Sequence, residues 1–390
     1  MATVTTPTPT RWITRRPTGN LRRNPAAPWR HLDVVLLGAS LGIAVIGVLM
    51  VYAATRGPGG DEPVDTFYLK RQAMFFGAGL VVMAVTAVID YRRYYDLAPV
   101  IYGVGVVLLA LVLSPLGSAR AGTQAWFDLG GFQVQPSEFA KLGLIIGLSA
   151  LMSQFRWEVG PGRLLLCLLV AGVPLGLIVL QPDLGTALIM VAILAGILLV
   201  GGARFRQLGA LVLLGVLASV AVLQSGVLED YQQARLTSFL DQSSDLQGAA
   251  YNQNQSLIAI GAGGITGQGL FQGTQTRLQN VPEQHTDFIF TAVGEELGLV
   301  GTGTLLALFG IVVLRIWRTA QLSRDAFGTL LCAGVLVMLL FQIFQNIGMT
   351  MGIMPVTGIP LPFVSYGGSS ALANFAAIGL VLNVHMRRFS

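Results

Sequence analysis

Ten apolar runs, each a candidate membrane span, follow one another through this chain, with most of the charge confined to the stretches between them. A span needs about 20 mostly apolar residues, and the runs fall near 32–54, 71–89, 97–115, 137–153, 164–180, 185–200, 207–226, 288–314, 327–346 and 370–386. Lipid cannot satisfy free backbone N–H and C=O groups, so each run must be helical, and the Gly- and Pro-rich stretches between runs must face water or protein. The expected fold is an all-α polytopic membrane protein, with a ten-helix domain over 32–388 preceded by a basic tail at 1–31. Composition agrees: 53% of the 390 residues are hydrophobic and only 11% are charged, against roughly 25% charged in soluble domains.

The tail is Thr/Pro-rich and carries Arg11, Arg15, Arg16, Arg22, Arg23 and Arg30 before a first apolar run too long for a signal-peptide core. It reads as a disordered cytoplasmic segment drawn to anionic membrane lipid. Threading the ten spans from a cytoplasmic N-terminus places 17 of the 24 Lys and Arg residues in the cytoplasm. That asymmetry puts both termini inside the cytoplasmic membrane's inner face, and moving one span would spoil it. The net charge of +5 forms no basic stripe, which argues against nucleic acid as a partner. Cys167 and Cys332 each lie inside an apolar run without metal-ligand spacing and read as core residues. No repeat of 20 to 50 residues and no pair of inverted halves marks a transporter.

This threading leaves the unusual chemistry outside, in 116–136, the turn 181–184, the long loop 227–286 and 354–369. The long loop holds Arg235, Asp241 and Asp245, then an apolar stretch Gln255–Ile260 expected to pack as a short helix, then the glycine run GAGGITGQGLFQG. The run follows no strand and opens no βαβ unit, so it is not a dinucleotide fingerprint; close backbone approach or tight turns explain its glycines. Asp287 ends the loop at the mouth of the next span, either as a helix cap or as a general base or metal-binding carboxylate with His285 beside it. Two turns deeper, Glu295 lies roughly 80° around the helix from Asp287 and Glu296 roughly opposite. Glu295 is thus expected to face a cavity, and Glu296 to pair with a neighbouring helix. Glu138 and Lys141 share a helix face as an ion pair, or leave Lys141 as a cation for substrate phosphate. Trp126 is an interfacial belt residue or a platform for a sugar ring. Asp183 reads as a cap. The three prolines and the glycines of 354–370 indicate a non-helical segment packed into the bundle as a wall of a site.

The motifs QPSEFAKL, QPDLGTAL, QSLIAIGAGG, PEQHTDFIF with GEELG, and PVTGIPLPFVSYGGSS occur in that order. Together they resemble the shape, elongation, division and sporulation family, from about residue 32 to the C-terminus, and QGTQTRL before PEQHTDF is similar to its RodA branch. The resemblance implies a peptidoglycan glycosyltransferase that polymerises lipid II, the undecaprenyl-pyrophosphate-linked disaccharide-pentapeptide. It implies a class B penicillin-binding protein as partner and Asp287 as the catalytic carboxylate, with Trp126 and Arg235 similar to the family's loop Trp and Arg. Glycosyl transfer needs a base for the acceptor hydroxyl and positive charge for the departing pyrophosphate. Asp287 suits the first, while Arg235, Arg277, Arg120, Lys141 or a divalent cation, Mg²⁺ or Mn²⁺, suits the second. Glu138, His285, Glu295 and Trp126 complete the expected substrate contacts. Two other readings are a division polymerase similar to FtsW and a lipid II flippase; the latter calls for charge along the full depth of several helices, whereas here it gathers at the outer edge.

Overall fold

The structure is a computed structural model that describes residues 31–56, 66–120, 123–128, 130–154, 159–224 and 249–388. The basic tail, apart from His31, and the segment with Arg235, Asp241 and Asp245 lie outside those residues. Helices run in the order α1 (Val34–Thr55), α2 (Phe67–Val88), α3 (Tyr91–Asp96), α4 (Ala98–Val112), α5 (Pro136–Ser153), α6 (Pro161–Val179), α7 (Leu184–Val200) and α8 (Phe205–Gln224). They continue with α9 (Ala249–Gly263), α10 (Thr274–Arg277), α11 (Ile289–Gln321), α12 (Ala326–Thr350) and α13 (Gly368–Met386).

Nine of the ten expected spans coincide with a helix to within four residues, and the eighth, expected over 288–314, runs on to Gln321. By length and composition, α1, α2, α6, α11, α12 and α13 can cross a membrane, while α4, α7 and the Phe205–Gly215 part of α8 are shorter apolar helices. The spans are unequal in position. In α13, 89% of the spanning window is buried in protein, against 22% in α6, so α13 is a central element and α6 turns most of its apolar surface to lipid. Small residues let the central helices approach closely: a Cβ at Gly79 of α2 would overlap the Phe375 ring of α13, and one at Gly334 of α12 would meet Ile145 of α5 at 2.7 Å.

Two features depart from the expected pattern of helices and loops. Between α4 and α5, strands β1 (Ser118–Arg120), β2 (Thr123–Asp128) and β3 (Gln133–Val134) form an antiparallel sheet in the order β1-β2-β3. In the expected loop 227–286, α9 and α10 are helical, and α9 is longer than the short helix expected. It docks against the bundle: Ser256 Oγ lies 2.6 Å from Thr291 Oγ1 of α11 and donates to the Thr350 carbonyl at 2.8 Å. Gln253 Nε2 donates to the carbonyls of Met349 and Met354 at 3.0 and 3.1 Å.

The glycine run closes a break in α11. Gly298 has φ 64°, outside the helical region, so the backbone groups around it lose their intrahelical partners. The run supplies replacements: Gln268 and Gly269 N–H donate to the Glu295 and Glu296 carbonyls at 2.9 and 3.1 Å. In return, Leu299 and Val300 N–H donate to the Gly264 and Ile265 carbonyls at 3.0 and 3.1 Å. The close approach expected of these glycines is therefore to the backbone of α11.

At the other end of the bundle, Asp33 caps α1 and meets Arg315 of α11 at 2.8 Å. The Tyr91 hydroxyl donates to Asp325, the N-cap of α12, and Arg387 donates to the Ala87 and Val88 carbonyls at the end of α2.

Candidate active site

Asp287 sits in a tight turn that precedes α11. Glu283 takes the left-handed region at φ 50°, and its carbonyl accepts from Thr286 and Asp287 N–H at 3.2 and 3.1 Å. Phe288 is the N-cap of α11, so half-buried Asp287 stands one residue outside the helix. The Asn346 amide of α12 donates both to the Asp287 carbonyl and to the Ile359 carbonyl, each at 2.8 Å. One side chain thus binds the turn to the proline-rich segment 355–367, which is non-helical and largely buried, as a site wall should be. Where that wall meets the carboxylate stands Gly358, at φ 71°, and a Cβ there would come within 3.3 Å of Asp287 Oδ2. Only glycine allows both the backbone angle and the approach.

The His285, Tyr68 and Tyr366 rings form a three-membered cluster, with His285 5.0 Å from Tyr68 and 5.7 Å from Tyr366 and the two tyrosines 5.2 Å apart between centroids, and Tyr366 N–H donates to the His285 carbonyl at 2.9 Å. Arg71, one turn beyond Tyr68 on the same face of α2, lies over the Phe67 ring at 4.4 Å and donates to the Gly131 carbonyl at 2.6 Å. The start of α2, the β2–β3 turn and the end of the proline-rich segment are thereby brought beside the His285 turn. Sequence reasoning did not single out Arg71, Tyr68 or Tyr366. Two signals were present: cationic Lys70 and Arg71 at the start of a span, and Tyr366 within SYGG.

Other expected site residues fall in different surroundings. Glu138 and Lys141 form an ion pair at 2.8 Å with side chains 4% and 1% exposed, and Glu138 Oε2 has no hydrogen-bond partner. Lys141 is thus engaged inside the bundle. Asp183 is the N-cap of α7 and accepts from Thr186 N–H at 3.0 Å. Trp126 is half-buried on the middle strand of the sheet, opposite Ser118, and Arg120 ends β1. Exposed Arg277 closes α10.

Glu295 takes a different part from the cavity-facing one expected of it. It is 0% exposed, and its two oxygens accept from Gln275 N–H at 2.6 Å and from Thr276 N–H and hydroxyl at 2.9 and 2.7 Å. Instead of facing a cavity, it caps α10. Glu296, expected to pair with another helix, accepts from Phe271 N–H at 3.0 Å. Both glutamates therefore hold the loop that crosses the break in α11.

Comparison with known proteins places this arrangement among relatives. The peptidoglycan glycosyltransferase MrdB of Escherichia coli K12 is 37% identical over 362 residues, covering 92% of this chain and 94% of that protein. A chain from a solved structure described as the structural coordination of polymerization and crosslinking by a peptidoglycan synthase complex superposes with a TM-score of 0.79. It is 33% identical, with 92% of this chain and 99% of that one covered. The crystal structure of the rod shape determining protein RodA of Thermus thermophilus gives 0.70 at 31% identity, covering 93% and 99%. The profile of the cell cycle protein family FtsW/RodA/SpoVE matches residues 34–389, a stretch that takes in every described helix and the turn that presents Asp287, and the chain belongs to that family.

Proposed function

We infer that this chain is a peptidoglycan glycosyltransferase that polymerises lipid II into glycan strands on the outer face of the cytoplasmic membrane, during cell elongation. The observation that carries the reading is Asp287, half-buried outside the first turn of α11 and pinned through its carbonyl by Asn346. Names among its relatives agree with the reading, from the glycosyltransferase MrdB to the rod shape determining protein RodA.

In this reaction the Asp287 carboxylate takes the proton from the acceptor sugar hydroxyl. That oxygen bonds to the anomeric carbon of the donor, the bond from carbon to the pyrophosphate oxygen breaks, and undecaprenyl pyrophosphate leaves with the electron pair. Exposed Arg277 and the half-buried Arg71 stand on segments adjoining the turn and are proposed, with Arg235, to attract the phosphates. Trp126 is proposed as a sugar platform. Among the described residues no cluster of three or more His, Cys, Asp and Glu side chains forms. A divalent cation is therefore proposed as a guest of Asp287 and the substrate phosphates, a ligand set that suits Mg²⁺; it would neutralise charge on the leaving group. A class B penicillin-binding protein is proposed as partner, in keeping with the synthase complex that contains the similar chain.

The test is polymerisation of labelled lipid II by the purified chain with its cognate class B penicillin-binding protein, with and without Mg²⁺ or Mn²⁺. Asp287→Asn is expected to abolish glycan synthesis while folding as wild type does. Turnover equal to wild type would remove Asp287 from the mechanism.

A further inference from the structure

A buried line of side chains runs from the break in α11 back to the turn that presents Asp287. Gln284 Nε2 donates to Thr276 Oγ1 at 2.9 Å, and the Thr276 hydroxyl donates to Glu295 Oε2 at 2.7 Å. The three residues are 4%, 1% and 0% exposed. The direction of the line is set at one end: Glu295 Oε2 accepts from Thr276 N–H and Oε1 from Gln275 N–H, so the carboxylate acts as an acceptor throughout, and the threonine hydroxyl, its one proton given to Glu295, can only accept from the glutamine. Access to the carboxylate depends on Gly273, where a Cβ would meet Glu295 Cδ and Oε2 at 2.9 Å. Gln284 lies between Glu283, whose left-handed backbone shapes the turn, and His285, whose carbonyl is held by Tyr366.

We propose that Glu295, Thr276 and Gln284 are positioning residues for the reaction, a relay that fixes the Asp287 turn against the helix two turns below it. The inference rests on the reading of Asp287 as the base. Asp287 stands just before the α11 segment that runs to the Gly298 break, and Glu295 lies near that segment's far end. That segment is clamped at its top by Asn346 and Tyr366, and from the side by the relay. Loss of the relay removes one of the anchors of the turn, and a base displaced by about 1 Å from its reacting proton loses on the order of a hundredfold in rate.

The experiment measures kcat and KM for lipid II, in the complex with the penicillin-binding protein, for Thr276→Val, Thr276→Ser, Gln284→Met and the double variant Thr276→Val/Gln284→Met. Asp287→Asn is run beside them, and the folded fraction of each is measured by thermal unfolding in detergent. Thr276→Val keeps the side-chain shape and the backbone bond to Glu295 and removes only the hydroxyl. We expect Thr276→Val and Gln284→Met each to lower kcat about tenfold or more with KM little changed, and Thr276→Ser to restore most of the loss. The double variant is expected to be no worse than either single one, because both break the same line. Wild-type kcat in Thr276→Val and Gln284→Met, or single losses that multiply in the double variant, overturns the relay while an inactive Asp287→Asn leaves the base in place. Activity in Asp287→Asn overturns the reading of the base itself.

Discussion

Lys141 and Glu138 show how a charge survives in a bundle of this kind. Both side chains are almost fully buried and bonded at 2.8 Å, yet Glu138 Oε2 has no partner, so the pair is held without complete satisfaction. Breaking such a pair leaves one buried charge uncompensated, whereas removing both charges can be nearly neutral. Lys141→Met is therefore expected to cost about 3–5 kcal/mol of stability, and the double variant Glu138→Gln/Lys141→Met to recover most of that loss. Unfolding of the four proteins of this cycle in detergent measures it; a double variant as unstable as the sum of the singles would mean that the two residues do not act on each other. Phosphate binding by Lys141 would require this pair to open, and its geometry favours the structural role that the three-residue spacing already allowed.

The break in α11 sets the local architecture around the site. Gly298 carries φ 64°, and a Cβ there would overlap the Gly267 nitrogen and meet the Ile265 carbonyl carbon at 2.8 Å. Gly298→Ala is expected to expel the glycine run from the break. Four backbone hydrogen bonds between 264–269 and 295–300 would go with it, and amide hydrogen exchange over 264–277 would rise while that of α13 stays slow. Unchanged exchange over that segment would show that the run is not held by the break. The positions of the long helices were legible in the sequence because apolar runs in lipid leave the backbone no alternative to helix. The site wall at 355–367 was legible for the same reason, since prolines between two spans cannot continue either helix. What Glu295 does was not legible: helix periodicity gave it a cavity to face, but the N–H groups it satisfies come from residues 275 and 276, which only tertiary docking brings there. The sheet escaped as well, because its strands are two to six residues long and produce no alternating pattern to count.

At the scale of the whole molecule, the two ends of the bundle differ in chemistry. One end gathers Asp287, His285, Tyr366 and the docked segment α9–α10, while the other gathers Arg315, Arg387 and the caps Asp33 and Asp325. Positive charge is retained on the cytoplasmic side of membrane proteins, so the arginine-rich end should face the cytoplasm and the Asp287 end the exterior, where glycan is assembled. The two native cysteines are each 0% exposed, so single introduced cysteines can report sidedness against a silent background. Gln272 and Arg318 are both exposed, the first in the docked segment and the second near the end of α11. In intact spheroplasts a membrane-impermeant maleimide is expected to label Gln272→Cys and to spare Arg318→Cys until the membrane is opened by detergent. The reverse pattern would place the Asp287 turn in the cytoplasm, and an enzyme with that orientation would have to take its lipid-linked substrate before translocation, which would undo the assignment of polymerisation to the outer face.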